Sequence, residues 1–342
     1  MTKEWTTLPD LASRAVGGSV VWANDELFAE RENLIKRSEP EYQTYTFGHK
    51  GQVYDGWETR RRREPGDDHA IIRLGLPGVV RGVVIDTAFF KGNYPPHGSV
   101  HATSVEGYPT PDELRAADWE PLVPKSPLQG NEKHYFDVSA DRRYTHVRLT
   151  MHPDGGVARL RVFGEPVADP RFLVAGALDL AALENGARVT GCSNMFYSSP
   201  SALLAPGQAT SMGEGWETAR RRDDGNDWVE LELAEAGTVT LAELDTSHFK
   251  GNAPGWASVR GRHGDGAWVD LLPRTRLLPD TRHRFRLAGD VEVTHARLDI
   301  FPDGGMARLR LFGALTEAGH DALARKWRDL LPEAHAKLVR PD

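Results

Sequence analysis

A single cysteine, Cys192, among 342 residues excludes a disulfide within the chain and any cysteine-based metal cluster. That usage suits a reducing compartment, and a cytoplasmic location is expected. No apolar run approaches the length of a membrane span, and Met1-Thr2-Lys3-Glu4-Trp5 opens without a signal-peptide pattern, so no membrane partner is expected. Positive charge is not in excess. The formal net charge of -7 argues against the broad basic face that nucleic-acid binding requires, although local basic sites stay open. Metal-ligand motifs are missing too. There are 13 histidines, but none forms a His-x-His pair. His146 and His295 each follow a threonine and stand alone. A tight metal site needs three or four converging ligands, so neither metal nor cofactor is expected.

What is present is a duplication. Gly56-Trp57-Glu58-Thr59 with Arg61-Arg62-Arg63 returns as Gly215-Trp216-Glu217-Thr218 with Arg220-Arg221-Arg222. Asp86-Thr87 with Phe90-Lys91-Gly92-Asn93 returns as Asp245-Thr246 with Phe249-Lys250-Gly251-Asn252, at the same offset of 159 (57 to 216). Pro153-Asp154-Gly155-Gly156, Arg159-Leu160-Arg161 and Phe163-Gly164 return at an offset of 149 (154 to 303) as Pro302-Asp303-Gly304-Gly305, Arg308-Leu309-Arg310 and Phe312-Gly313. A period this long is one domain, not a solenoid unit. The repeats are placed at 1–167 and 168–342, joined near Gly164 to Pro170.

Strand signals dominate both halves. Ala70 to Leu74 and Val79 to Ile85 pair with Trp228 to Leu233 and Thr238 to Leu244 as two strands per repeat, and Arg159 to Phe163 and Arg308 to Phe312 read as closing strands. Pro-Asp-Gly-Gly tetrads punctuate them as turns. Many short strands at such spacing predict an all-β sandwich. Helix is sparse: Asp25 to Ile35 is a weak amphipathic segment, and Glu317 to Leu331 carries an apolar stripe through Leu323, Trp327, Leu330 and Leu331.

The repeated polar residues are the site candidates. Glu58 and Glu217 precede arginine runs, which read either as a salt-bridged strand or as a carboxylate site, since guanidinium matches carboxylate with two parallel hydrogen bonds. Asp86, Lys91 and Asn93, mirrored by Asp245, Lys250 and Asn252, leave a strand for a Gly-containing loop, where scaffolds commonly place chemistry. Gly92-Asn93 and Gly251-Asn252 suggest backbone in special φ. His248, opposite Phe89, breaks the symmetry with a titratable group. Arg159 and Arg308 close each repeat and are candidates for the binding mouth.

Asp10-Leu11-Ala12-Ser13-Arg14, Gly17-Gly18-Ser19-Val20-Val21, Glu32-Asn33-Leu34-Ile35, the run Asp55 to Arg63 and Phe90-Lys91-Gly92-Asn93-Tyr94-Pro95-Pro96 together resemble the allantoicase family, duplication included. The resemblance implies two tandem jelly-roll β-sandwiches of the galactose-binding type, with a short C-terminal helix here. It also implies hydrolysis of allantoate to ureidoglycolate and urea in uric-acid breakdown. A homo-oligomer is expected. On that reading Asp86, Lys91, Asp245, Lys250 and His248 are catalytic candidates. Glu58, Arg61, Asn93, Arg159, Glu217, Arg220, Asn252 and Arg308 are candidates for binding substrate. The competing expectation is a non-catalytic tandem sandwich that binds a sugar or polar metabolite.

Overall fold

A computed structural model describes residues 3–173 and 177–332; the outer ends of both expected repeats fall outside these. The chain divides into two compact units, one running to Glu165 and taking up the chain again from Leu330, the other Pro166–Asp329. Each is an antiparallel β-sandwich with little helix.

The organising element of each unit is a single 19-residue strand, Asp68–Asp86 or Asp227–Asp245. Sequence pattern divides each into two strands. The structure instead runs one strand through both sheets, and its pairing register shifts between Arg73 and Gly78, and between Glu232 and Gly237. Glycine makes the crossing possible: a Cβ at Gly75 would stand 2.3 Å from the Val16 carbonyl oxygen, and one at Gly237 2.6 Å from that of Ala314. The first half of Asp68–Asp86 pairs with Ser19–Ala23 and Tyr144–His152; the second half pairs with Lys133–Asp137. Asp227–Asp245 pairs likewise with Arg188–Cys192, Glu292–Phe301 and Arg282–Arg286, and with the closing strand Arg308–Leu315.

Both ends of the long strand meet one turn. The Asp68 amide donates to the Pro153 carbonyl, and the Ala158 amide donates to the Asp86 carbonyl; Asp227–Pro302 and Ala307–Asp245 repeat this. The strand therefore leaves and returns to the same end of its sandwich, and the repeated motifs gather there. Trp57 and Trp216 are fully buried beneath them. In each tetrad the first glycine takes positive φ (Gly155 143°, Gly304 133°). The second is required by an aromatic ring, because a Cβ at Gly156 or Gly305 would come within 2.1 Å of Phe90 or Phe249.

Helix follows expectation only at the C-terminus. Glu317–Asp329 buries Gly319, Leu323 and Trp327. Gly319 packs so closely on the long strand that a Cβ would lie 2.2 Å from the Ala236 oxygen. The segment from Asp25 forms only a 3-10 turn, Arg31–Ile35, because its buried residues Ala29, Leu34 and Ile35 are not spaced as a helical stripe. A short helix at Pro111–Ala116, closed by a Thr110/Glu113 capping box, has no forerunner in the sequence reading.

Candidate active site

Most of the repeated polar residues hold the loop end together. The Arg62 and Arg221 amides donate to Asp154 and Asp303 at 2.8 Å. Their guanidinium groups pair with the buried Asp68 at 2.5 Å and Asp227 at 2.7 Å. The Thr87 hydroxyl donates to the Gln129 carbonyl at 2.6 Å, and the Thr246 hydroxyl to the Leu278 carbonyl at 2.7 Å. Whole polar strings therefore recur because the backbone at this end has few strand partners and side chains must satisfy it.

Arg159 and Arg308 belong to this class. Arg159 is 1% exposed. Its nitrogens donate to the carbonyls of Ser38, Asp55 and Ala158, and to the Asp55 carboxylate at 2.6 Å. Arg308 donates to the carbonyls of Gly207, Glu214 and Ala307. Both act as clamps on the loop that crosses the mouth. Arg161 and Arg310 clamp neighbouring carbonyls of the same loops.

One pair stands apart. The Asn93 amide donates to a Glu58 carboxylate oxygen at 2.7 Å, and Asn252 donates to Glu217 at the same distance. The two partners are 35 residues apart in each unit, so folding creates the pair. Glu58 is 9% exposed. Burial raises its pKa above the ordinary carboxylate value, and the hydrogen bond from Asn93 offsets this only in part. Tyr54 lies close by and stacks on Phe90 with ring centroids 5.0 Å apart. In the second unit Glu217 is more open, and Met212 replaces this wall, its sulfur 3.4 Å from the Asn252 amide.

Asp86 is not part of that pair, although the sequence groups it with Lys91 and Asn93. It is 2% exposed and lines a separate cavity of about 410 Å³ with Lys133 and Glu39, which contains neither Glu58 nor Asn93. Burial raises its pKa; the Ala88 amide and Lys133 oppose the shift. Asp245 is equally buried and accepts from the Ser247 amide at 2.8 Å. Lys91 and Lys250 are exposed on the loops that carry Asn93 and Asn252, and Arg220 is exposed like Arg61. Arg61 lines another cavity, of about 380 Å³, with Arg60, Arg62, Arg63 and Asp25.

The special backbone lies elsewhere than expected. Gly92 and Gly251 do not take positive φ; Phe89 (69°) and His248 (71°) do. Each is held there by its amide, which donates to Asn131 at 2.8 Å or Asp280 at 2.7 Å. The His248 side chain donates through Nε2 to the Ala209 carbonyl at 3.0 Å, whereas the Phe89 ring meets Tyr42 at 5.6 Å. Either residue ties the same turn to the mouth loop. Among the described residues, no three His, Cys, Asp or Glu side chains are grouped to hold a metal ion.

The allantoicase-repeat family model matches residues 9–167 and 178–316. This chain belongs to the allantoicase family. A probable allantoicase of Nocardia farcinica is 59% identical over 314 residues, covering 91% of this chain and 95% of that protein. The allantoicase of Dictyostelium discoideum is 42% identical over 324 residues, covering 90% and 88%. The crystal structure of allantoicase from Saccharomyces cerevisiae aligns with a TM-score of 0.77 at 35% identity, covering 89% of this chain and 92% of that one.

Two groups escaped the sequence reading. Lys133 stands opposite Asp86, and Arg282 stands opposite Asp245; their shared offset of 149 (133 to 282) was the available signal. His134 and His283 share it too. Each bridges two backbone groups: Nδ1 meets the Ile85 or Leu244 carbonyl, and Nε2 accepts from the Gln129 or Leu278 amide.

Proposed function

We infer that this chain hydrolyses allantoate to ureidoglycolate and urea, a step of purine degradation. Family membership over nearly the whole chain supports the reaction. The buried Glu58–Asn93 pair is the observation that carries the mechanism. Allantoate holds two ureido groups on one carbon, so release of urea breaks a carbon–nitrogen single bond. We propose that Glu58, whose protonated form burial favours, gives its proton to the departing nitrogen. The lone pair of the remaining ureido nitrogen closes a carbon–nitrogen double bond as urea leaves. The Glu58 carboxylate then takes a proton from the water that adds to that carbon, which restores the acid. Asn93 holds Glu58 in place and offers donor and acceptor to a ureido group. Lys91, two residues earlier on the same loop, and Arg61 supply positive charge for the substrate carboxylate. Glu217, Asn252, Lys250 and Arg220 are the second unit's counterparts.

Urea release from allantoate by the purified protein tests the reaction; no release would favour the non-catalytic binder. We also propose that the step needs no metal. Loss of activity on chelation, with intact assembly and restoration by one divalent ion, would overturn that. Among the described residues no helix is long and apolar enough to cross a membrane. A cytoplasmic homo-oligomer is our further proposal, supported by the lone thiol and by exposed Tyr45, Phe47, Phe196 and Tyr197. Sedimentation analysis checks the assembly.

A further inference from the structure

The Asp86 cavity has a counterpart in the second unit, and the two are filled differently. In the first unit Asp86 stands opposite Lys133, and Val84 opposite Tyr135. In the second, Asp245 stands opposite Arg282, and Glu243 opposite Arg284. Glu243 is buried. One of its oxygens takes Arg282 Nε at 2.6 Å and the other takes Arg284 Nε at 3.0 Å. A planar carboxylate with both oxygens used thus sits between two planar guanidinium groups. The first unit has Val84 in place of Glu243, and Lys133 and Tyr135 in place of the arginines; there the space is the cavity of about 410 Å³.

The chemistry of that space selects its occupant. Lys133 pairs with Glu39 and Arg161 with Asp10, so among the described residues Asp86 is the lining charge with no ion-pair partner of its own. An anionic ligand would add a like charge beside the buried Asp86, whereas a neutral ligand with N–H donors can satisfy it. Arg161 is committed to the carbonyls of Lys36, Arg37 and Ser38. Lys133, 2.6 Å from Glu39, is the cation that can turn to a ligand. Among the described residues only the Ala88 amide donates to Asp86, through Oδ1. Its other oxygen is left to accept. Tyr135 and Phe163 add aromatic surface to the lining, each with Trp5 against its ring.

We propose that this cavity is a ureido-binding site, and that Glu243 with Arg282 and Arg284 fills the equivalent place in the second unit from within the chain. The ureido N–H groups donate to Asp86, the ureido oxygen accepts from Lys133, and the planar group lies along Tyr135 and Phe163. The cavity is large enough to admit such a ligand. The same group is found in free urea and in ureido acids. That these are the reaction's own product and substrate rests on the allantoate reading; the cavity's selectivity does not.

Trp5 supplies a local reporter, its ring centroid 6.2 Å from that of Tyr135. Protein labelled with fluorotryptophan is titrated with N-methylurea, N-carbamoylglycine and acetate, following the Trp5 resonance assigned with Trp5→Phe. Both ureido probes should shift it and acetate should not. Equal affinities assign the site to urea, and tighter N-carbamoylglycine assigns it to ureido acids. Val84→Glu and, as the variant safest for folding, Lys133→Met should each weaken the response at least tenfold. A response to acetate alone, or ureido binding unchanged in both variants, overturns the proposal. Urea release from allantoate is measured on the same wild-type sample. Probe binding without turnover would overturn the allantoate reading and leave the cavity site standing; turnover without probe binding would do the reverse.

Discussion

The two units share a scaffold and differ in what they leave open at its end. The scaffold's clamps coincide almost bond for bond: Thr59 with Thr218 on the tetrad carbonyls, Arg159 with Arg308 on the mouth loop, and His134 with His283 between neighbouring backbones. The differences fall where ligands would enter. Glu58 is buried against Tyr54, while Glu217 is more open beside Met212; the Asp86 cavity has its counterpart occupied by Glu243. A duplicated domain keeps the bonds that satisfy its backbone, since each loss strands a buried polar group. Side chains facing a ligand carry no such penalty and diverge.

The sharpest break of this comparison is catalytic. Glu58→Gln should lower kcat about 100- to 10,000-fold, the usual range for a lost general acid. Glu217→Gln should cost far less, because Glu217 is more open and has Met212 where Tyr54 walls Glu58. Equal losses would show two equivalent sites. Asn93→Ala set against Asn252→Ala should follow the same order.

Clamp substitutions should behave in the opposite way, alike in the two units. Arg159→Ala leaves several carbonyls unpaired and takes one of two cations from Asp55, which keeps Lys36, and should cost at least about 1–3 kcal/mol of stability. Arg308→Ala should cost a similar amount by denaturant unfolding. A mild loss for one alone would mean that the two mouth loops are not held equivalently.

The pH profile sharpens the catalytic contrast. Burial raises the Glu58 pKa above its unfolded value, so the proton donor is present below the folded pKa and lost as pH rises through it. Turnover should fall on that alkaline side, and Glu58→Gln should abolish this limb of the profile. The same sign holds for stability: the raised pKa favours folding at low pH, and that contribution disappears as pH rises through the folded value. A profile for Glu58→Gln with the wild-type limb intact would assign the proton to another group.

The smallest effect is expected at Arg60. Its exposed guanidinium pairs with Asp25 at 2.5 Å, and its counterpart is Ala219. The backbone bond survives the exchange, since the amides of Arg60 and Ala219 donate equally to Asp25 and Asn194. Arg60→Ala should change stability by less than about 1 kcal/mol, measured by thermal unfolding.

The sequence by itself determined the duplication, the β-sandwich class and the family, because alternation, turn residues and repeated strings are properties of short segments. It also singled out Glu58 and Asn93 individually. Their union across 35 residues, the separation of Asp86 from Asn93, and the saturation of Arg159 were decided only by the tertiary structure. A repeated arginine or threonine looks the same in a string whether it holds a carbonyl or faces a ligand. The long strand illustrates the limit from the other side. Its two halves read as separate strands because each carries its own pattern, and only packing against both sheets makes them one. Which carboxyl group is buried, and which cavity a partner such as Glu243 fills, depends on neighbours distant in the chain; desolvation and charge pairing act through space, so folding decides them.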